Sequence, residues 1–217
     1  MRPITTSVGP LTALSANGIA LSQSLAGAGA LTLNGAYATG GVATLPQPRR
    51  VGIASAGNDS GLIWTIVGTD RAGSPISETL AGTNIGTAQS VLDYLTVTSI
   101  SSSGATASTV TAGTTAVASS AWIRLDDWAL PQTAIQCDAS GTVSFTVQST
   151  LDDPNDATNP TAPALVAWVN SADSGAVNAT GTIQTSFAYA PRFVRTTLNS
   201  GSGSVVMTIN QAGSVTY

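Results

Sequence analysis

Any base poised near neutral pH would have to be a perturbed carboxylate, because this 217-residue sequence has no histidine and its seven cations are all arginine. A Ser-His-Asp or Cys-His nucleophile cannot be assembled, nor can a zinc site that uses imidazole. The densest run of oxygen ligands is Asp152-Asp153-Pro154-Asn155-Asp156, which could hold a hard cation such as Ca²⁺. No established ligand spacing is matched, since the central Gly and terminal Glu of an EF-hand are missing. The preferred reading is a solvated loop whose Asp and Asn side chains cap turns. Asp126-Asp127 could suggest a carboxylate pair, but neighbours in an extended segment point to opposite faces. Asp70, Glu78 and Asp93 fall on separate elements. No catalytic, cofactor or metal residue is assigned, and no cofactor is expected.

The remaining candidates favour binding over reaction. Arg49-Arg50 and the pair Arg192 and Arg195 could meet an anionic partner. With eleven acids against seven arginines, internal or intersubunit ion pairs are the better reading. Trp64, Trp122, Trp128 and Trp168 could form a sugar-binding platform, against the commoner role of aromatics in cores. Cys137 reads as a small buried apolar group. The 22 glycines lack a phosphate-binding arrangement between strand and helix and read as turns.

Composition then restricts the elements that hold these residues. Charged residues make up 8% of the chain, its net charge is −4, and Glu78 is its single glutamate. Long helix-forming side chains are scarce while Ala, Thr, Ser, Gly and Val dominate, which excludes a helical bundle or coiled coil. The acidic balance argues against direct nucleic-acid binding. The segment Met1–Ser7 lacks the apolar core of a signal peptide. Leu25 to Leu33 is too short and Gly-broken to span a bilayer. No cleaved targeting segment and no membrane partner are expected.

Three regions follow from pattern. Residues 1–45 form an extended N-terminal arm of short strands and Gly turns, which orders against a partner or its own domain because its leucines would be costly left wet. Residues 46–118 form a β-sandwich-like unit: strand 49–55, a turn at 56–61, strand 62–67, a turn at 70–75 and strand 76–80. Strand 94–100 and strand 108–111 are expected as a hairpin. A bulk-free stretch, Gly113 to Ser120, marks the boundary. Residues 119–217 form a second unit with its cleanest alternation at Thr142–Gln148, a long loop at Asp152–Pro163, and a closing hairpin of 193–198 with 204–209. A faint echo links Pro48-Arg49-Arg50-Val51 with Pro191-Arg192-Phe193-Val194. It marks either two related units or convergent hairpin chemistry. The fold class is all-β: two antiparallel sandwich or jelly-roll-like units and an arm.

Particular segments carry a resemblance. Ser119–Asp126, Gly141–Asp153, Tyr189–Arg195 and Ser200–Gln211, together with Arg49–Thr83, resemble small β-sheet virion proteins of tailed bacteriophages. Jelly-roll-like capsid cement proteins are the nearest comparison. The likeness covers residues 45–217 as a texture of strands and turns, and it carries no catalytic residues. It implies a non-enzymatic structural protein that decorates and stabilises the major capsid lattice. Its partners would be the major capsid protein and copies of itself as a homo-oligomer, in a virion assembled in the host cytoplasm. The alternatives are a tail, neck or fibre-attachment component, and a carbohydrate-binding module or adhesin.

Overall fold

The structure, a computed structural model, describes residues 3–126 and 132–211, and among these it is all-β apart from two 3₁₀ turns. The chain divides into two compact units. Unit 1 comprises residues 1–11 and 117–217, and unit 2 comprises residues 12–116. The expected single arm is therefore shared out: its start belongs to unit 1 and the rest, from Thr12, belongs to unit 2. The chain leaves unit 2 at Ala116, inside the Gly113–Ser120 stretch read as a boundary.

Unit 1 is built from β1 (Ile4–Val8), β10 (Ala118–Ser119), β11 (Ile123–Arg124), β12 (Thr133–Ser140), β13 (Val143–Thr150), β14 (Val169–Asn170), β15 (Ile183–Phe187), β16 (Phe193–Gly201) and β17 (Ser204–Gln211). One sheet has the order β1-β17-β12-β15 and the other β10-β16-β13-β14, with β11 continuing the edge along β16. All pairs are antiparallel. This four-on-four order is the winding of a jelly roll. Its first strand is Ile4–Val8, pairing with β17 in the register Ile4↔Ile209 to Val8↔Val205. The core between the sheets is one cluster that includes Ile135, Cys137, Met207 and Ile209 from the first sheet and Phe145, Val147, Val194 and Leu198 from the second. Alternation in β13 points Val143, Phe145 and Val147 inward, as their spacing predicts.

The expected closing hairpin is not one. β16 and β17 lie in different sheets, as do β12 and β13. Each short connection turns a corner between layers, and the two corners lie side by side, with Ser140 opposite Ser204 and Val143 opposite Gly201. Glycine is required here. Gly201 adopts φ +108°, and a Cβ on it would collide with the Thr142 carbonyl. A Cβ on Gly203 would collide with the carbonyl oxygen of Ser140. The alternation pattern fits a hairpin and a corner equally, because each strand keeps its inward face in both.

Unit 2 holds β2 (Ala20–Gln23), β3 (Gly29–Ala30), β4 (Ala38–Thr39), β5 (Val42–Asn58), β6 (Ile63–Thr69), β7 (Pro75–Ala81), β8 (Asn84–Ser102) and β9 (Val110–Thr114). These form one eight-stranded sheet of order β2-β9-β5-β8-β6-β7, with β3 on β8 and β4 on β5. The β6–β7 hairpin forms as expected around the 70–74 turn, where Asp70 Oδ1 accepts from Ala72 and Ser74 N–H at 2.8 and 2.9 Å. The expected β8–β9 hairpin does not form, because β5 lies between those strands and pairs with both. Pro46 and Pro48 have no N–H to offer the ladder, and the β5–β8 register shifts between Thr44 and Arg49. Ile19, Leu31, Leu45, Trp64, Tyr94 and Ile100 are buried. The two units differ in strand order, so the proline–arginine echo does not mark a duplicated fold.

Replacing Gly203 by Ala should lower the unfolding free energy by about 2–3 kcal/mol, because backbone must move at both corners to admit a Cβ. Denaturant unfolding of the variant checks this. An unchanged midpoint would mean the corner is slack.

Candidate functional site

The chemistry-bearing residues of unit 1 gather on the outward face of the β10-β16-β13-β14 sheet. The same alternation that sends Phe145, Val147, Val194 and Leu198 inward turns Thr146, Gln148, Arg195 and Thr197 outward. Gln148 sits opposite Arg195, and Thr146 opposite Thr197. Gln148 Oε1 accepts from Arg195 Nε at 2.9 Å and from the Thr197 hydroxyl at 3.0 Å, and its Nε2 donates to Asn170 Oδ1 at 2.9 Å. Asn199 Nδ2 donates to Thr146 Oγ1 and to Asn178 Oδ1, both at 2.9 Å.

Aromatic rings cover one end of this network. The Arg195 guanidinium stands 4.0 Å from the centre of the Trp168 ring. Trp122 meets Trp168 edge-on at 5.0 Å between centroids, and meets Phe193 at 6.2 Å. Trp122 reaches this position because the edge strand is interrupted between β10 and β11, where the Ser120 N–H bonds to the Thr196 carbonyl and Ser120 Oγ accepts from Thr196 N–H. Arg195 is 4% exposed, while Trp122 and Trp168 are half-buried. A desolvated guanidinium on an indole face contributes about 2 kcal/mol. That contact fixes Trp168, and with it the end of the long loop that precedes β14.

The acidic loop is held the same way. Asp153 is buried, and its Oδ2 lies 3.3 Å from both Arg124 Nη2 and Arg192 Nε. Asp152 Oδ2 accepts from Ala167 N–H at 2.7 Å, and Asp153 Oδ1 from Asn155 N–H at 2.8 Å. Asp156 is half-buried, and the N–H groups of Asn159 and Thr158 hold its carboxyl below the ordinary range. The three carboxylates face three different sets of partners. Among the described residues, no group of three or more His, Cys, Asp or Glu side chains is placed to hold a metal ion.

The other sequence candidates separate. Asp126 exchanges hydrogen bonds with the Gln211 side chain through its main-chain N–H and carbonyl. Asp127 and Trp128 lie outside the described residues. Trp64 is 1% exposed in the core of unit 2, so it is no part of a platform. Cys137 is buried, and burial pushes its thiol up to about 11. Arg50 Nε lies 3.8 Å from Asp93 Oδ1. Arg49 is 1% exposed, and its guanidinium donates to the carbonyls of Thr12, at 2.9 Å, and Thr115.

One grouping is absent from the sequence reading. Glu78 and Asp93, assigned to separate elements, come together with Arg50 and Tyr94 inside unit 2. The signal was present in β7, where Glu78 shares its inward phase with Ile76 and Leu80. Unit 2 also carries a groove of about 280 Å³ lined by Leu14, Gly52, Ala54, Gln89 and Thr114 among others, with no titratable side chain.

Comparison of the chain with protein-family models, with curated proteins and with solved structures found no match. The class that fold and site define is an all-β protein with a jelly-roll unit. Its buried charges serve internal contacts, among them the Asp59 carboxylate, which accepts from the Ser55 hydroxyl at 2.6 Å and from the Ala107 N–H at 2.8 Å. Among the described residues, no helix is long and apolar enough to cross a membrane.

Replacing Trp168 by Ala should free the loop. Cleavage between residues 152 and 168 by a nonspecific protease is expected to rise roughly five- to thirtyfold, the ratio that 1–2 kcal/mol of lost contact gives. An unchanged cleavage rate would assign loop retention to the Asp152 and Asp153 contacts.

Proposed function

We propose that this chain is a structural, non-enzymatic virion protein of a tailed bacteriophage, bound over the major capsid lattice as a cement or decoration protein and self-associating as a homo-oligomer. The observation that carries the reading is the division of its surface chemistry. Arg49, Arg50, Arg124, Arg192 and Arg195 are engaged within their own units. Large apolar side chains meanwhile stay out in water: Ile63, Val67 and Val91 in unit 2, and Leu151, Leu165 and Val169 around the acidic loop. Such a surface has little charge repulsion and gains from being covered. The jelly roll is compatible, since that architecture serves capsid and lectin domains alike, and it identifies neither. The resemblance of the sequence over residues 45–217 to virion proteins supports the first. Many weak copies on a lattice would then act together through avidity.

Copy number decides the placement. Quantitative mass spectrometry of purified particles, against the major capsid protein, should return hundreds of copies per particle. Six or twelve copies would move the protein to the tail or neck, and its absence from particles would overturn the virion reading.

The half-buried Trp122–Trp168 pair favours one second reading, a glycan-binding module. Under it, added glycans should quench or blue-shift tryptophan fluorescence, and Trp122→Ala should abolish the change. A fluorescence spectrum indifferent to a broad glycan panel removes this reading.

A further inference from the structure

Glu78 is the chain's only glutamate and the only fully buried residue of β7, at 4% exposure. An edge strand ordinarily anchors itself with an apolar side chain, and β7, last in the sheet order, is paired among the described residues to β6 alone. Its anchor is instead a carboxylate that reaches the irregular part of β8. There the pairing with β5 runs from Arg50↔Asp93 to Gly52↔Gln89, so residues 90–92 bulge from the ladder. Glu78 Oε2 accepts from Val91 N–H at 2.8 Å and Oε1 from Leu92 N–H at 3.4 Å. The Tyr94 hydroxyl bonds to the same carboxylate and also lies 3.4 Å from the Ile66 carbonyl.

We propose that Glu78 is a proton-governed latch on β7: with its carboxyl protonated the strand is held shut on β8, and with it ionised the strand opens more readily and uncovers the edge of β6. Both states have partners. Ionised, the carboxylate takes the N–H groups of Val91 and Leu92 and the Tyr94 hydroxyl. Protonated, its own O–H donates to Tyr94 Oη, and Tyr94 donates to the Ile66 carbonyl.

The charged and titratable groups facing Glu78 set the balance. From β8 they are Tyr94 and, through its ion pair with Arg50, Asp93; from β5 it is Arg50. β6, Ile63–Thr69, contributes none. Burial raises the Glu78 carboxyl, outweighing Val91, Leu92, Tyr94 and Arg50, which favour the ion. Opening returns Glu78 to water and to its ordinary range, so the proton binds the closed form more tightly. The stabilisation is complete below the ordinary carboxyl range and is lost as pH rises through the raised one.

A single glutamate makes the test direct. With ¹³C-glutamate labelling the full chain gives one side-chain carboxyl resonance, which is followed from pH 8 to pH 5 alongside amide hydrogen exchange of Ser77 to Leu80. The resonance should titrate above the ordinary range. Protection of β7, corrected for intrinsic exchange, should rise about threefold on acidification in step with it. Glu78→Gln should abolish that pH dependence. Tyr94→Phe, which keeps the carboxyl and removes the relay, should move the midpoint and serves if the first variant does not fold. A resonance flat down to pH 5, a titration with β7 protection unchanged, or a Tyr94→Phe midpoint equal to that of the parent each overturns the latch.

Discussion

Two ribbons of chain turn the same corner, and unit 1 exists because they can. The β12–β17 ladder belongs to one sheet and the β13–β16 ladder to the other, so the connections at Gly141 and at Ser202–Gly203 must pass between layers side by side. Backbone there approaches backbone so closely that a single methyl group has nowhere to go. Once the corner is made, the inward phases of all four strands face each other across about 10 Å, the spacing at which side chains interdigitate. Phe145, Leu198, Met207 and Cys137 then fill one core. The outward phases are fixed by the same act, which aligns Gln148 with Arg195.

Polar side chains in this protein act chiefly as fasteners. Gln148 uses both ends of its amide, Asp153 joins two arginines, and Arg49 grips carbonyls of Thr12 and Thr115. Charge-assisted contacts of this kind are stronger than neutral ones and cost more to break when buried. A chain with 8% charged residues has few to spare, and those described sit where loops and irregular strands would otherwise be loose. This explains how a sequence rich in Gly, Ser and Thr still fixes long connections.

Strand positions were legible because period-two patterning is local. Thr142–Gln148 and Leu62–Val67 show in the structure the faces that their alternation implies. Pairing was less legible, because it depends on partners far away in the chain. The 94–100 and 108–111 strands look like a hairpin from the turn between them, yet β5 inserts between the two. Residues 1–45 lack strong periodicity, which hid the fact that Ile4–Val8 is the first strand of the jelly roll and that Ile19, Leu31 and Leu45 belong to the core of unit 2. The preference for ion pairs describes Arg50 and Arg192, whereas Arg49 bonds to main-chain carbonyls and Arg195 bonds to Gln148 and stacks on Trp168. That Trp122, Trp168 and Arg195 would converge was not legible, since only the interrupted edge strand and the folded loop bring them together. Glu78 could have been found from its phase, but its bulge partners Val91 and Leu92 could not.

The pairing of β1 with β17 also orders events in time. All of unit 2 and most of unit 1 lie between β1 and its ladder partner β17, so the jelly roll cannot close until β17 has been synthesised. Unit 2 needs nothing beyond Ala116 and is free to fold long before. When it does, Arg49 holds Thr12 beside Thr115, and the segment separating β1 from β17 is effectively halved. Loop-closure entropy changes by only about 0.6 kcal/mol for such a halving, so the gain in equilibrium stability is slight. The larger consequence is kinetic: the inserted unit carries the waiting strand as a tethered end and shortens the search that completes the fold.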